Sequence, residues 1–336
     1  MALEDITVLI LSRGRDDILR RSLEYWASLP LTILVLHHTD SPLTTFSNSK
    51  NVKYINSNTP YGARCAIAAQ NISSKYAILV SDDDFYLSSG LLALSEALDV
   101  RNDLVSVGGQ TISVGKYGKL ITGTSAYLHT RNYKNLEDST FERLTKHFNV
   151  EEGYINGSMY RLFRADQFID LMNNLGSLSN IRTPYIFEVS SEILANATGK
   201  SEYLNQVLWI RNWINPPVNH SEWKRNLYFF EWATDSEFSD EYNMWREFMR
   251  KRLDLDQEIF DDLLQQIIKV RQISEENEIS KIRKHSFLIP ESIKYFLRRM
   301  LRPDSLPSTV EEEIQKLIHA EVLVNQEEVE RILKFL

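Results

Sequence analysis

The chain contains a single cysteine, Cys65, among its 336 residues, so it cannot form an internal disulfide bond. That scarcity is typical of a reducing compartment. No apolar run approaches the roughly 18–20 residues that cross a bilayer. The N-terminus carries Glu4 and Asp5 and then enters an apolar segment, which is not the pattern of a signal peptide. These absences predict a cytoplasmic protein.

The chain also has no excess of basic residues. Its 38 Lys and Arg against 46 Asp and Glu give a formal net charge of −8. General nucleic-acid binding needs a basic surface, so we expect no nucleic-acid partner. An acidic chain is still compatible with a polyanionic ligand that binds as a complex with a cation.

Three glycine-containing motifs are absent as well. No Gly-x-Gly-x-x-Gly follows the first apolar segment, and neither Gly-x4-Gly-Lys-Ser/Thr nor Gly-x-Ser-x-Gly occurs. Their absence argues against a dinucleotide-dependent dehydrogenase, a P-loop nucleotide hydrolase and an α/β-hydrolase.

What is present in the first half is an alternation of strand-like and helix-like segments. The apolar segments 6–11, 31–36, 52–55 and 76–80 predict strands, and helices are predicted at about 16–26, 61–72 and 88–98. With short connections, this alternation implies a mostly parallel sheet covered by helices. In such sheets ligands bind beyond the carboxyl ends of the strands.

Three consecutive aspartates, Asp82, Asp83 and Asp84, follow the apolar strand at 76–80. Neighbouring ionised carboxylates repel one another unless a cation neutralises them. Mg²⁺ and Mn²⁺ take carboxylate and phosphate oxygens together. The triplet therefore predicts a place for a metal–diphosphate complex, and an Asp-rich turn before a helix is the alternative interpretation.

Other polar residues end the neighbouring strands. Ser12 and Arg13 follow the first strand, and Asp40 follows the second. In a parallel sheet these residues share one edge with the aspartates. Surface salt bridges remain the alternative for Arg13, and turn chemistry before Pro42 for Asp40.

These patterns together resemble the nucleotide-sugar-binding fold of GT-A glycosyltransferases of the family-2-like group. The resemblance runs from Ile6 to about Arg211 and rests on segment 7–13, the strand before Asp40, Gly62-Ala63-Arg64 and the strand followed by Asp-x-Asp at 76–84. It implies an α/β fold with a Rossmann-like, mostly parallel sheet flanked by helices. It also implies transfer of a sugar from a nucleotide-diphosphate sugar, with UDP-sugars favoured, in the assembly of a polysaccharide.

The resemblance assigns expected roles to matching positions on the donor side. Ser12 and Arg13 would line the base and ribose pocket, and Asp40 would bond the base or ribose. Arg64 would approach the diphosphate or the base edge. Asp82 and Asp83 would contact the nucleotide sugar, with Asp82 also a candidate metal ligand. Asp84 would bind Mn²⁺ or Mg²⁺ directly, and His220, beyond the strand at 204–210, would complete the metal shell.

The middle of the chain should carry the acceptor side. Segment 104–107 before Gly108-Gly109 predicts a strand with close backbone approach, and segment 154–164 resembles the strand behind the sugar site. Inverting transfer needs a general base. In related enzymes a carboxylate at the start of the next helix supplies it. Here Glu188 and Glu192 are the candidates, with Glu188 preferred. The family's usual adjacent acidic pair is missing, because Val189 follows Glu188.

The sequence also changes character near residue 216. Residues 1–215 are predicted to form the GT-A domain and 216–336 an α-helical C-terminal region. Within the latter, the basic amphipathic segment 287–302 could lie on the inner face of an anionic membrane, dock a partner or pack on the helical region. The acidic helices at 311–336 would be structural or an oligomer contact.

The predicted function is thus metal-dependent sugar transfer, with inversion, to a hydroxyl of a glycan, lipid-linked or other acceptor. Two other functions stay open. One is a sugar nucleotidyltransferase, although the expected Gly-rich loop with Arg and Lys is missing. The other is a non-catalytic protein that binds a glycan or partner through the same fold.

Overall fold

Ten β-strands form one mixed sheet at the centre of the molecule. The computed structural model describes residues 3–40, 42–43, 46, 49–117, 120–149, 157–181, 184–215, 228–285 and 308–336. The strands are β1 (Ile6–Arg13), β2 (Thr32–His38), β3 (Val52–Asn56), β4 (Tyr76–Val80), β5 (Phe85–Tyr86), β6 (Leu104–Tyr117), β7 (Leu120–Ala126), β8 (Lys134–Asn135), β9 (Leu162–Arg164) and β10 (Lys200–Asn212).

The described helices surround this sheet. They are α1 (Asp16–Trp26), α2 (Tyr61–Ala69), α3 (Ser88–Val100), α4 (Thr140–His147), α5 (Ala165–Ser177), α6 (Pro184–Ala197), α7 (Phe229–Thr234), α8 (Ser239–Leu253), α9 (Gln257–His285), α10 (Val310–His319) and α11 (Gln326–Leu333).

The strand order is β3-β2-β1-β4-β9-β6-β10-β5, with β7 paired to β6 and β8 to β10. Strands β3, β2, β1 and β4 run parallel, and β6 and β10 are parallel to each other. The short β9 lies antiparallel between β4 and β6. The predicted α/β sheet is therefore confirmed, and the carboxyl ends of β1, β2 and β4 meet at one edge.

Two predicted strands differ from the observed ones. Segment 104–107 begins a longer strand, β6, that continues through both glycines; a Cβ on Gly109 would lie 2.5 Å from the Leu208 Cβ, which confirms the predicted close approach. The predicted strand 154–164 is described from residue 157 onward; within 157–164, Leu162–Arg164 is strand and Ser158–Tyr160 is a 3₁₀ helix. The chain turns there because Gly157 adopts a φ of +117°.

Apolar side chains cover both faces of the sheet and form two cores. One core joins alternate residues of β1, β2 and β4 to α1, α3, α10 and α11. The other joins the opposite residues of those strands to α2, α4–α6 and α7–α9. Because side chains alternate across a strand, Val8 belongs to the first core and Leu9 to the second.

The predicted boundary at residue 215 stays a prediction, but two helices beyond it pack on the N-terminal half of the chain. Helices α10 and α11 return to the sheet, where buried Val310, Ile314 and Ile332 join the first core. Backbone bonds also connect them to the sheet, since Val207 N–H donates to the Leu323 carbonyl over 2.9 Å. The amphipathic pattern of 311–336 indicated that one face of these helices is buried. It did not indicate that this face packs on the sheet of the N-terminal half.

No helix in the described ranges is both long and apolar enough to span a membrane. The basic segment 287–302 lies outside the described residues, so its predicted contacts with a membrane or partner stay predictions.

Candidate functional site

The carboxyl ends of β1 and β4 bring a serine, an arginine and two aspartates into direct contact. The Ser12 hydroxyl donates to Asp82 Oδ2 over 2.6 Å. The Arg15 guanidinium donates to Asp82 Oδ1 over 2.7 Å and to Asp83 Oδ2 over 2.6 Å. All three charged side chains are mostly buried, with 12%, 7% and 16% of their surface exposed. Ser12, Asp82 and Asp83 thus lie together as predicted.

The turn after β1 explains how Arg15 reaches the aspartates. Gly14 adopts a φ of +58°, a left-handed conformation that favours glycine, and its N–H donates to the His38 carbonyl of β2 over 3.2 Å. The next residue, Arg15, is the N-cap of α1. Its side chain thereby starts at the same sheet edge as the end of β4.

Asp84 has different surroundings from Asp82 and Asp83. It is 4% exposed, and its Oδ1 accepts a 2.8 Å hydrogen bond from the backbone N–H of Asn212, the last residue of β10. Burial, reinforced by the charge of Asp83, raises the pKa of Asp84 to about 7, although Arg211 acts in the opposite direction. Burial likewise raises the pKa of Asp82 to about 6, opposed by Arg15.

These properties fit a divalent cation that takes one protein carboxylate and completes its shell from a ligand. Within the described ranges, no group of three or more His, Cys, Asp or Glu is arranged to hold a metal ion, and no Lys or Arg lies within salt-bridge distance of Asp84. A buried carboxylate without an ion-pair partner is a hard oxygen donor whose charge a cation would offset. The other predicted ligand, His220, lies outside the described residues.

A second arginine, Arg211, lies beside Asp84 at the end of β10. Its guanidinium carbon is 4.4 Å from the ring centre of Trp213, 5.6 Å from that of Trp209 and 5.5 Å from that of Tyr127. It also donates a hydrogen bond to the Tyr127 hydroxyl. Such aromatic faces hold a cation in place. Arg211 therefore gives this edge a positive charge close to the aspartates.

The remaining donor-side candidates occupy neighbouring positions. Arg64 is buried, and its guanidinium donates to the Ser12 carbonyl over 2.5 Å, so it holds the end of β1 in place. Arg13 is half-buried at the last position of β1 and pairs in register with His38. Asp40 is exposed beyond β2, with the Asn58 side-chain amide 3.4 Å from its Oδ1.

The two candidate bases, Glu188 and Glu192, both lie on α6 but in unlike environments. Glu192 is fully buried and accepts 2.7 Å bonds from the N–H groups of Gly157 and Ser158 and a 3.1 Å contact from His147 Nε2. Burial opposes ionisation of Glu192, yet these hydrogen bonds hold its pKa below the ordinary value. Its Oε1 is thus occupied by the turn before β9 and its Oε2 by His147 of α4.

Glu188 is half-buried, with 30% of its side chain exposed, and Arg271 of α9 lies 3.6 Å from its Oε1. Burial raises the pKa of Tyr127 to about 12; Arg211 opposes the shift, and the negative charges of Glu188 and Asp84 add to it. The charges of Glu188 and Asp84, and also that of Glu192, therefore act on the Tyr127 hydroxyl.

Sequence reasoning missed Arg15, Arg211, Tyr127 and Trp209. Arg15 carried a usable signal, because it follows the first strand by two residues, and Arg211 and Trp209 lie at the end of the last predicted strand. Tyr127 had no such signal. It reaches the site only because β7 folds back on β6.

No sequence profile of a protein family matches the chain, and no curated protein matches it in sequence. Solved structures do match in shape. The crystal structure of S. aureus TarS 1–349 superposes with a TM-score of 0.52 at 12% identity, over 82% of this chain and 72% of that one. Its complex with UDP-GlcNAc gives 0.53 at 13%, over 82% and 73%. The chain thus has a GT-A-like glycosyltransferase fold.

Proposed function

We propose that the protein is a glycosyltransferase that moves a sugar from a nucleotide-diphosphate sugar to a hydroxyl acceptor. One observation carries this proposal. Asp82, Asp83 and Asp84 follow the central strand β4 of a GT-A-like sheet, and Ser12 and Arg15 at the end of β1 bond to the first two of them. Ligands of open α/β sheets bind at such an edge.

We favour a UDP-sugar as the donor, because TarS, whose fold is similar, is described in complex with UDP-GlcNAc. The strand ends at Arg13 and Asp40 would face the nucleoside, and Arg211 would offset charge on the diphosphate. The acceptor class is a glycan, a lipid-linked or another hydroxyl compound.

We further propose that Mn²⁺ or Mg²⁺ binds at Asp84, with His220 as a second candidate ligand. When bound, the ion supplies positive charge to the leaving nucleotide diphosphate. The chain's own contribution is a buried carboxylate held in place by the Asn212 N–H.

On the acceptor side we propose Glu188 as the general base. Its carboxylate would take the proton of the acceptor hydroxyl while that oxygen attacks the anomeric carbon and the bond to the nucleotide diphosphate breaks on the opposite face. The configuration therefore inverts. The partial exposure of Glu188 supports this role, and the complete burial of Glu192 supports a role in holding the turn at Gly157.

The test is calorimetry with UDP and a panel of nucleotide sugars, with Mn²⁺ and with EDTA. We expect binding that requires the ion. Asp84→Asn should weaken metal-dependent UDP binding by more than the ~10–100-fold that loss of an outer metal partner costs. Asp17→Asn, at an exposed carboxylate of α1, is the matched control. Equal UDP affinity with Mn²⁺ and with EDTA would contradict metal dependence, and no binding or turnover of any nucleotide sugar would contradict the function.

A further inference from the structure

Arg15 forms the salt bridges with the aspartates of the candidate site, but the proposed reaction does not give it a role. One terminal nitrogen of its guanidinium donates to Asp82, and the other donates to Asp83. The second oxygen of Asp82 accepts from Ser12. Both carboxylates are therefore held by protein donors before any ligand binds.

The third carboxylate of the triplet, Asp84, is left out of this arrangement. In the part of the chain that the structure describes, its side chain has no ion pair, and the one backbone bond to it comes from Asn212. Three carboxylates lie here with two guanidinium groups, Arg15 and, beside Asp84, Arg211, so the ionised strand end stays net negative and a divalent cation would offset that charge.

We propose that Arg15 is a positioning residue that holds Asp82 and Asp83 out of metal coordination, so that a single divalent ion binds at Asp84. This inference rests on the proposed function. It differs from the sequence-based expectation, in which Asp82 was itself a candidate ligand.

The proposal makes two opposite predictions for removal of the Arg15 charge. Without Arg15 the strand end is more negative by one charge, so it attracts a free divalent ion more strongly. The same extra negative charge repels a nucleotide diphosphate. Metal binding should therefore tighten while nucleotide binding weakens.

A purely structural role gives a different pattern. Arg15 is also the N-cap residue of α1, and the buried contacts it makes could serve only to hold that helix against β4. Loss of that support would loosen the site, and both affinities would fall together with the melting temperature.

The experiment compares wild type, Arg15→Gln and Arg15→Lys. Binding of Mn²⁺ alone is measured from the electron paramagnetic resonance signal of the free ion, and UDP binding by calorimetry at saturating Mn²⁺. Arg15→Gln should bind Mn²⁺ ~10-fold more tightly and UDP ~10-fold more weakly. Arg15→Lys keeps the charge, so its Mn²⁺ affinity should stay near that of wild type. Arg20→Gln removes a cation whose salt bridge, in the described part of the chain, is with exposed Asp17, and it should change neither affinity.

Unchanged or weaker Mn²⁺ binding in folded Arg15→Gln, with wild type binding both ligands, would overturn the inference and leave the proposed function standing. Should Arg15→Gln not fold, Arg15→Lys decides: a Mn²⁺ affinity that falls together with its melting temperature would also overturn the inference. If wild type binds neither Mn²⁺ nor any nucleotide, the proposed function itself fails.

Discussion

Glu188 and Glu192 show how two residues of one type, one helical turn apart, acquire different properties. Oε1 of Glu192 accepts from two N–H groups of the turn before β9, and neutral His147 of α4 can donate to Oε2 through Nε2. Burial lowers the pKa of that histidine, which favours its neutral form. Glu188 retains solvent contact and an arginine neighbour. Of the two glutamates, Glu188 therefore fits better the proposed role of a base that exchanges a proton with the acceptor.

This contrast gives a prediction for Glu188→Gln. Loss of a general base typically costs ~10²–10⁴-fold in turnover. Donor affinity and melting temperature should stay near those of wild type, because the proposed base would contact the acceptor and not the donor, and its side chain is partly exposed. The measurement is steady-state turnover with calorimetry of the donor, and the anomeric configuration of the product is read by NMR. Near-normal turnover would place the base elsewhere, and a retained configuration would refute single displacement.

Glu192→Gln is the matched variant on the same helix. The substitution replaces the carboxylate that accepts hydrogen bonds from the N–H groups of Gly157 and Ser158 by a neutral amide. We therefore expect the free energy of unfolding to fall by ~1–3 kcal/mol. Chemical denaturation measures this change. A variant that unfolds like wild type yet loses all turnover would reverse the roles of the two glutamates.

At the scale of elements, the helices that follow β10 contribute to the site region as well as covering the sheet. Arg271 of α9 lies between Glu188 and Glu275, 3.6 and 3.2 Å from their carboxylates. Glu275 in turn accepts bonds from the N–H groups of Phe229 and Phe230 at the start of α7. Helix α9 therefore connects the start of α7 to the candidate base on α6.

A similar contact joins α11 to α3. The N-cap of α3, Leu87, offers no side-chain acceptor, and Glu328 of α11 supplies one instead. Its carboxylate accepts from the Ser89 N–H over 3.0 Å and from the hydroxyls of Ser88 and Ser89. An anion at a helix N-terminus stabilises the helix.

We expect Glu328→Gln to lower the free energy of unfolding by ~1–2 kcal/mol, because charge-assisted bonds at a helix start are lost. Urea denaturation followed by circular dichroism measures the effect. Glu330→Gln changes an exposed residue of the same helix and is the control. Equal stabilities of the two variants would mean that the contact does not stabilise α3.

At the scale of the whole molecule, the described helices that follow β10 pack on both faces of the sheet. Helices α7–α9 complete the core on one face of the sheet, and α10–α11 complete the core on the other. Residues 1–215 alone would leave apolar surface exposed on both faces. The helices that follow the change of composition near residue 216 thus share both cores with the strands before it.

A chain that ends at residue 285 should consequently fail to fold stably. It lacks the buried side chains of Val310, Ile314, Leu317, Val322, Val329 and Ile332. Burial of each contributes ~1.5–3 kcal/mol, and together they approach the ~5–15 kcal/mol stability of a whole domain. Soluble yield and thermal unfolding are the measurements.

Point variants of the full chain refine this test. Ile332→Ala should cost ~2–5 kcal/mol because it opens a cavity in the core. Ile318→Ala removes the same side chain at a position 40% exposed and should cost much less. Cooperative unfolding of the shortened chain at the wild-type temperature would contradict the role given to α10 and α11.

The sequence by itself determined the strands of the parallel half of the sheet and the edge at which polar residues collect. The apolar segment 6–11, followed by Ser12-Arg13, and the apolar segment 76–80, followed after one residue by Asp82–Asp84, locate that edge, because the carboxyl ends of parallel strands lie on the same side. Local periodicity was sufficient for this part, since each strand and its following helix are close in sequence.

Only the tertiary structure decided which of these residues touch. Arg15 contacts aspartates 67 and 68 positions away, Asn212 bonds to Asp84 from 128 positions away, and Glu328 reaches Ser88 across 240. An amphipathic helix specifies that one face is buried but not against which surface, and a charged residue specifies its charge but not its partner. Those choices depend on long-range packing, which no local pattern encodes.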